Sequence, residues 1–164
     1  PSSPPPANQA ELELLVEELF SSAAAGQWRR HFDCFGEDLQ TRMTLKAVMR
    51  AGRAVAADSS LRKQWLTICA RDAWIRVQSD ADALSEKISA RLSKDDKREF
   101  YVAVKGLLNA EPVPSKDAKL SRSKISEGRA RGLIKVSVNG KPKEQKAKFA
   151  LEDAEWRVTH LSDR

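Results

Sequence analysis

The chain has 164 residues, 41% of them hydrophobic and 32% charged, with a formal charge of +6 and two cysteines. That length is enough for one domain with a buried core and no disulfide staples. No apolar run approaches the roughly 18–20 residues that cross a bilayer, so a membrane-spanning helix is excluded.

The first nine residues, PSSPPPANQ, hold four prolines and no periodicity. Such a segment cannot bury enough surface to offset its ordering entropy, and it reads as a disordered tether. The chain opens on proline rather than methionine. This suggests an upstream signal peptide, lipid-anchor leader or further domain, or else an arbitrary boundary.

Leu12, Leu15, Val16, Leu19 and Phe20 then recur at helical spacing, with Gly26 as the expected C-terminal cap. Trp28, Phe32 and Phe35 place three aromatics on one side of a short second helix, which ends at Gly36. Residues 37–56 read as a third helix with Leu39, Met43, Ala47 or Val48 and Ala51 inward. A fourth helix carries Leu61, Trp65, Ile68 and Cys69. Residues 73–78 fit either a continued helix or a strand. Ser79 and Asp82 have capping-box spacing ahead of a helix with Leu84, Ile88 and Leu92. Ser93 opens another, with Phe100, Val104, Leu107 and Leu108 inward, and Pro112 and Pro114 stop it.

Beyond that point the period changes to two. Ala130, Gly132, Ile134, Val136 and Val138 alternate with Arg131, Leu133, Lys135 and Ser137, and Asn139-Gly140 is a strong hairpin signal. Ala147, Phe149 and Leu151 mark the returning strand, EDAE turns again, and WRVTHL pairs back. The expected fold class is α+β, with N-terminal helices (10–110) packed on a C-terminal antiparallel meander of three to four strands (117–162). A sheet that small must lay one face on the helices, which makes 10–164 one domain after the tether.

Two stretches, LLVEELFSSAAAGQWRRHFDCF and GLIKVSVNGKPKEQKAKFALEDAEWRVTHL, together resemble the superfamily of nuclear transport factor two. Those cone-shaped (cystatin-type) proteins include ketosteroid isomerase and bacterial exported proteins and lipoproteins. The resemblance covers roughly residues 11–36 and 129–161. It implies a curved sheet wrapped on a helix, and a cavity between them. Family enzymes use a pocket acid, sometimes with a histidine or tyrosine, and no such set matches here residue by residue. Residues 37–110 carry more helix than the usual cone.

Trp28, Phe32, Phe35, Phe149 and Trp156 are the candidates to line such a cavity, or else to fill the core. His31 reads as solvent-facing or capping, and His160 as a partly buried strand histidine. Tyr101 is the only tyrosine. Glycine elbow, HExxH, phosphate-binding loop and Cys/His cluster are all missing from the sequence, so neither a cofactor nor a metal is expected. Cys34 and Cys69 fit two buried hydrophobes or, in an exported protein, a disulfide.

The charge is uneven. Residues 1–110 hold 16 basic and 15 acidic side chains, whereas residues 111–164 hold 13 and 8. Arg129, Arg131, Lys135, Lys141, Lys143, Lys146 and Lys148 would stud the sheet and its hairpin as an anion-binding surface. The same residues also fit a solvated face that discourages edge-to-edge pairing.

These features together suggest a non-enzymatic domain binding a small ligand or a protein partner. Its location would be the cell envelope, periplasm or outside, with or without a lipid anchor. A basic nucleic-acid-binding module in the cytoplasm is the alternative, and a cone-pocket isomerase or dehydratase the second. The sequence leaves oligomeric state open, a dimer included.

Overall fold

The computed structural model describes residues 7–77, 80–112, 117–138 and 140–162. Six helices precede a four-stranded antiparallel meander, the expected α+β order. The helices are α1 (Ala7–Ala24), α2 (Trp28–Asp33), α3 (Glu37–Ala57), α4 (Arg62–Ile68), α5 (Ala81–Arg91) and α6 (Lys94–Leu107). The strands are β1 (Ala118–Ser126), β2 (Arg129–Val138), β3 (Lys141–Glu152) and β4 (Glu155–Leu161), in that spatial order. The chain divides into two compact units, Pro1–Gly36 with Pro112–Arg164, and Glu37–Glu111. The second is inserted between α2 and β1, a subdivision that periodicity does not signal.

In the first unit, α1 begins at Ala7, so the end of the proline-rich segment is helical; residues 1–6 lie outside the described residues. Its stripe of Leu12, Val16 and Leu19 is buried. The helix closes with Gln27 N–H donating to Ser22 O at 2.8 Å and Gly26 N–H to Ala23 O at 3.2 Å. This double closure needs a left-handed residue, and Gly26 supplies it with φ 69. Arg30 on α2 donates from Nε to Glu18 Oε1 at 2.7 Å, tying the two helices together.

The strands are joined by three two-residue connections, since the register pairs Ser126 with Arg129, Val138 with Lys141 and Glu152 with Glu155. Asn139, half of the expected hairpin signal, lies outside the described residues; Gly140 has φ 76. The inner face of Ala130, Ile134, Val136, Ala147, Phe149, Trp156 and Val158 is buried, and α1 packs against β1 and β4. Residues 34–36 continue past β4: Gly36 N–H donates to Val158 O at 2.9 Å and Val158 N–H to Cys34 O at 2.8 Å. That short parallel bridge covers part of an otherwise open edge.

The second unit is helical. α3 packs on α5 and α6, and α4 packs on α6, around Ala51, Trp65, Cys69, Ile88, Phe100 and Val104. Leu39 and Met43, expected inward, are only half-buried, while Gln40, Thr41 and Thr44 are buried. The polar side of α3 is tolerated inside because a threonine can satisfy itself locally: Thr44 Oγ1 donates to Gln40 O at 2.9 Å. Residues Ala73–Val77 form a 3₁₀ turn, neither helix extension nor strand; residue 78 lies outside the described residues. Ser79 lies there too, and the N-cap of α5 is Asp80, whose side chain accepts from Asp82 N. Ser93 and Asp96 do form the expected capping box on α6.

Candidate anion-binding site

A strand side chain alternates between faces, so register decides which cations meet. Opposite the core, the face of the sheet is built of cross-strand rows. One row runs through all four strands: Lys124 opposite Arg131, Arg131 opposite Lys148, and Lys148 opposite His160. One step to one side lies Arg122–Leu133–Lys146; one step to the other lies Ser126–Arg129–Ala150–Arg157, which also crosses all four strands and whose Arg157 pairs with Glu155. Lys119 opposite Lys135, itself opposite Glu144, forms a further row. Like charges placed directly opposite one another destabilise a sheet, yet three such pairs recur here.

Arg129, Arg131, Lys135, Lys146 and Lys148 are therefore gathered on one face, and all are exposed. Lys141 and Lys143 are exposed too, but stand in the opposite phase near the hairpin, Lys143 facing Val136. The structure adds three members that alternation alone misplaces. Ser121 is an extra residue in β1, between Leu120 opposite Ile134 and Arg122 opposite Leu133. Thr159 is likewise extra in β4, between Val158 opposite Phe149 and His160 opposite Lys148. Each bulge reverses the phase of the residues beyond it, turning Arg122, Lys124 and His160 outward. His160 is accordingly exposed, not partly buried as expected for a residue two beyond Val158. A signal for both was present: Leu120 and Ile125, like Val158 and Leu161, are inward residues at an odd separation, which one uninterrupted strand cannot produce.

Bulges bend a strand and raise its twist, and here they sit in the two edge strands. Between the side chains of the outer face lie two adjoining hollows of ≈ 630 and ≈ 540 Å³, which share Lys124, Arg131 and Lys148. Leu133 supplies apolar floor in the larger one. Gly132 holds the floor close to β1: a Cβ there would lie 2.5 Å from Arg122 O. Among the described residues no carboxylate forms an ion pair with Arg122, Lys124, Arg129, Arg131, Lys146 or Lys148. The three middle rows contain no acid.

Of the aromatics proposed as cavity lining, Phe149 borders the smaller of the two hollows and the other four border neither. Phe32, Phe35, Phe149 and Trp156 are buried in the core, and Trp28 is half-buried. Trp28 and Phe35 each make an edge contact with the ring of His31, whose Nδ1 lies 2.9 Å from Leu19 O. His31 is thus a half-buried packing residue rather than a solvent-facing one. Cys34 and Cys69 are both buried thiols outside any disulfide, one in each unit. Burial pushes the Cys34 thiol up to about 12, and likewise the Tyr101 hydroxyl; neither ionises at neutral pH. Among the described residues there is no cluster of three metal-ligating side chains, and no helix is long and apolar enough to cross a membrane.

No protein-family model, curated protein or solved structure matches this chain.

Proposed function

We propose that this protein is a non-enzymatic binding domain whose site is the outer face of the sheet, and whose partner is a polyanion. The observation that carries this reading is the row Lys124–Arg131–Lys148–His160 across all four strands. Edge protection accounts for charges on β1, but not for those on the central strands β2 and β3, which have no free edge. Cross-strand like-charge pairs cost stability where they stand, so their grouping in one hollow is best explained by a ligand that supplies the countercharge. The order α1, aromatic α2, curved meander supports the likeness to the cone superfamily as part of the same proposal. In that case the cone's core is filled by Phe32 and Phe149, and binding takes place on the other side of its wall.

Long-chain inorganic polyphosphate tests the reading without assuming a biological ligand. Binding in about 50 mM salt should be lost in the Arg131→Glu and Lys148→Glu variants and kept in Lys46→Glu, an exposed lysine on α3. It should also fall steeply as salt rises, because bound counterions are released. Equal loss in all three variants would place the site elsewhere.

A further inference from the structure

Resting on that reading, we infer that the polyanion is a double-stranded nucleic acid, held by its phosphate backbone without reading of bases. Three features of the hollow narrow the choice. The first is the chemistry of its walls. The outer positions of the middle rows offer guanidinium, ammonium and imidazole groups, one leucine, an alanine and a serine, and no Phe, Tyr or Trp. Surfaces that hold single strands present aromatics on which bases stack. A duplex keeps its bases paired inside and exposes phosphate and sugar, which is what this face can contact.

The second feature is spacing. The concavities follow one another along the strands and share a central cationic row. Rows two residues apart are separated by roughly 7 Å, and the row across four strands spans roughly 14 Å. Rows at the first distance are about two phosphate steps apart along one strand of a duplex, so the cations recur in step with its backbone. The third is composition within the cationic set. Arg122, Arg129 and Arg131 can each take a phosphate with two parallel N–H donors, while Lys124, Lys146 and Lys148 act as point charges. Leu133, between Arg122 and Lys146, provides the apolar patch against which a sugar can rest.

The test uses the full chain and labelled 20-base-pair duplexes of two unrelated sequences, with the corresponding single strands and phosphatidylserine vesicles. Both duplexes should bind with similar affinity, at least about tenfold tighter than either single strand. The logarithm of the binding constant should fall against the logarithm of salt with a slope of about −4, as expected for four to five phosphates engaged. Arg131→Ala with Lys148→Ala should lower affinity at least about tenfold and reduce that slope by about two. Single strands binding as tightly as duplexes, or vesicles binding where duplexes do not, would overturn the duplex inference while leaving the polyanion site standing. Failure of duplexes, single strands, vesicles and polyphosphate alike at low salt would remove both.

Discussion

Cys34 lies on the loop that extends the sheet beyond β4, 3% exposed, with its thiol donating to Arg30 O at 3.4 Å. Burial is the first cause of its raised pKa, followed by the nearby Glu18 carboxylate. The folded chain therefore holds the proton to about pH 12, whereas the unfolded chain releases it near the ordinary value of 9.0. Stability linked to this group is fully present below pH 9 and is lost as the pH rises from there towards 12. The loss approaches about 1.4 kcal/mol per pH unit in that window, because the native state binds one proton more than the unfolded state. Urea unfolding at pH 8 and pH 10 should show the wild-type chain losing about 1 kcal/mol more than Cys34→Ala between the two conditions. Equal losses would show that Cys34 carries no such linkage. The same burial makes the thiol a poor nucleophile, in keeping with a core position rather than chemistry.

At the scale of elements, the bulges decide what the sheet can do. If Ser121 is deleted, Arg122 follows Leu120 directly and still pairs with Leu133, so β1 pairs without interruption while Arg122 and Lys124 keep their outward phase. That deletion moves no charge out of water and should change stability by no more than about 1 kcal/mol, whereas deleting Ser123 turns either Arg122 or Lys124 towards the core at a cost of at least about 2 kcal/mol. Adding Arg122→Val and Lys124→Val to the Ser123 deletion should recover part of that loss. In the intact strand the same two replacements, being exposed, should change stability by no more than about 0.5 kcal/mol. Urea midpoints of these chains decide it, and a Ser121 deletion as costly as the Ser123 deletion would mean that Ser121 is not the residue the bulge sets aside.

The bulges also mark how far the sequence could be read. Period-two alternation from Ala130 to Val138 placed β2, and its cations, on the observed faces, since nothing interrupts that strand. The capping box at Ser93 and the break at Gly26 were legible because each depends on a few neighbouring residues. Arg122, Lys124 and His160 were not placed, because their orientation depends on how an edge strand adjusts to its neighbour. The buried Gln40, Thr41 and Thr44 were missed for a related reason: hydropathy ranks them outside, and helix packing in the second unit puts them inside. The aromatic set was identified as inward, but spacing cannot distinguish the lining of a cavity from the filling of a core.

For the whole molecule, the division into two units carries an energetic expectation. Each unit has its own core and two of the four tryptophans: Trp28 and Trp156 in the first, Trp65 and Trp74 in the second. A substitution acting locally on one core should then leave the other's transition in place. Ala154 is a suitable lever. It lies in the two-residue turn between β3 and β4 with φ 65, following Asp153 at φ 53. Aspartate tolerates that region and alanine does not, at a strain of roughly 1–2 kcal/mol. Ala154→Gly removes the strain and gives back part of the gain through the greater freedom of glycine in the unfolded chain, leaving a net stabilisation of about 0.5–1 kcal/mol. Fluorescence of a Trp65→Phe, Trp74→Phe chain follows the first unit, and that of a Trp28→Phe, Trp156→Phe chain follows the second. With Ala154→Gly added to each, the urea midpoint should rise in the first reporter and stay put in the second. A rise of the same size in both would mean that the chain unfolds as one cooperative body, and that the insertion between α2 and β1 is energetically continuous with the sheet it interrupts.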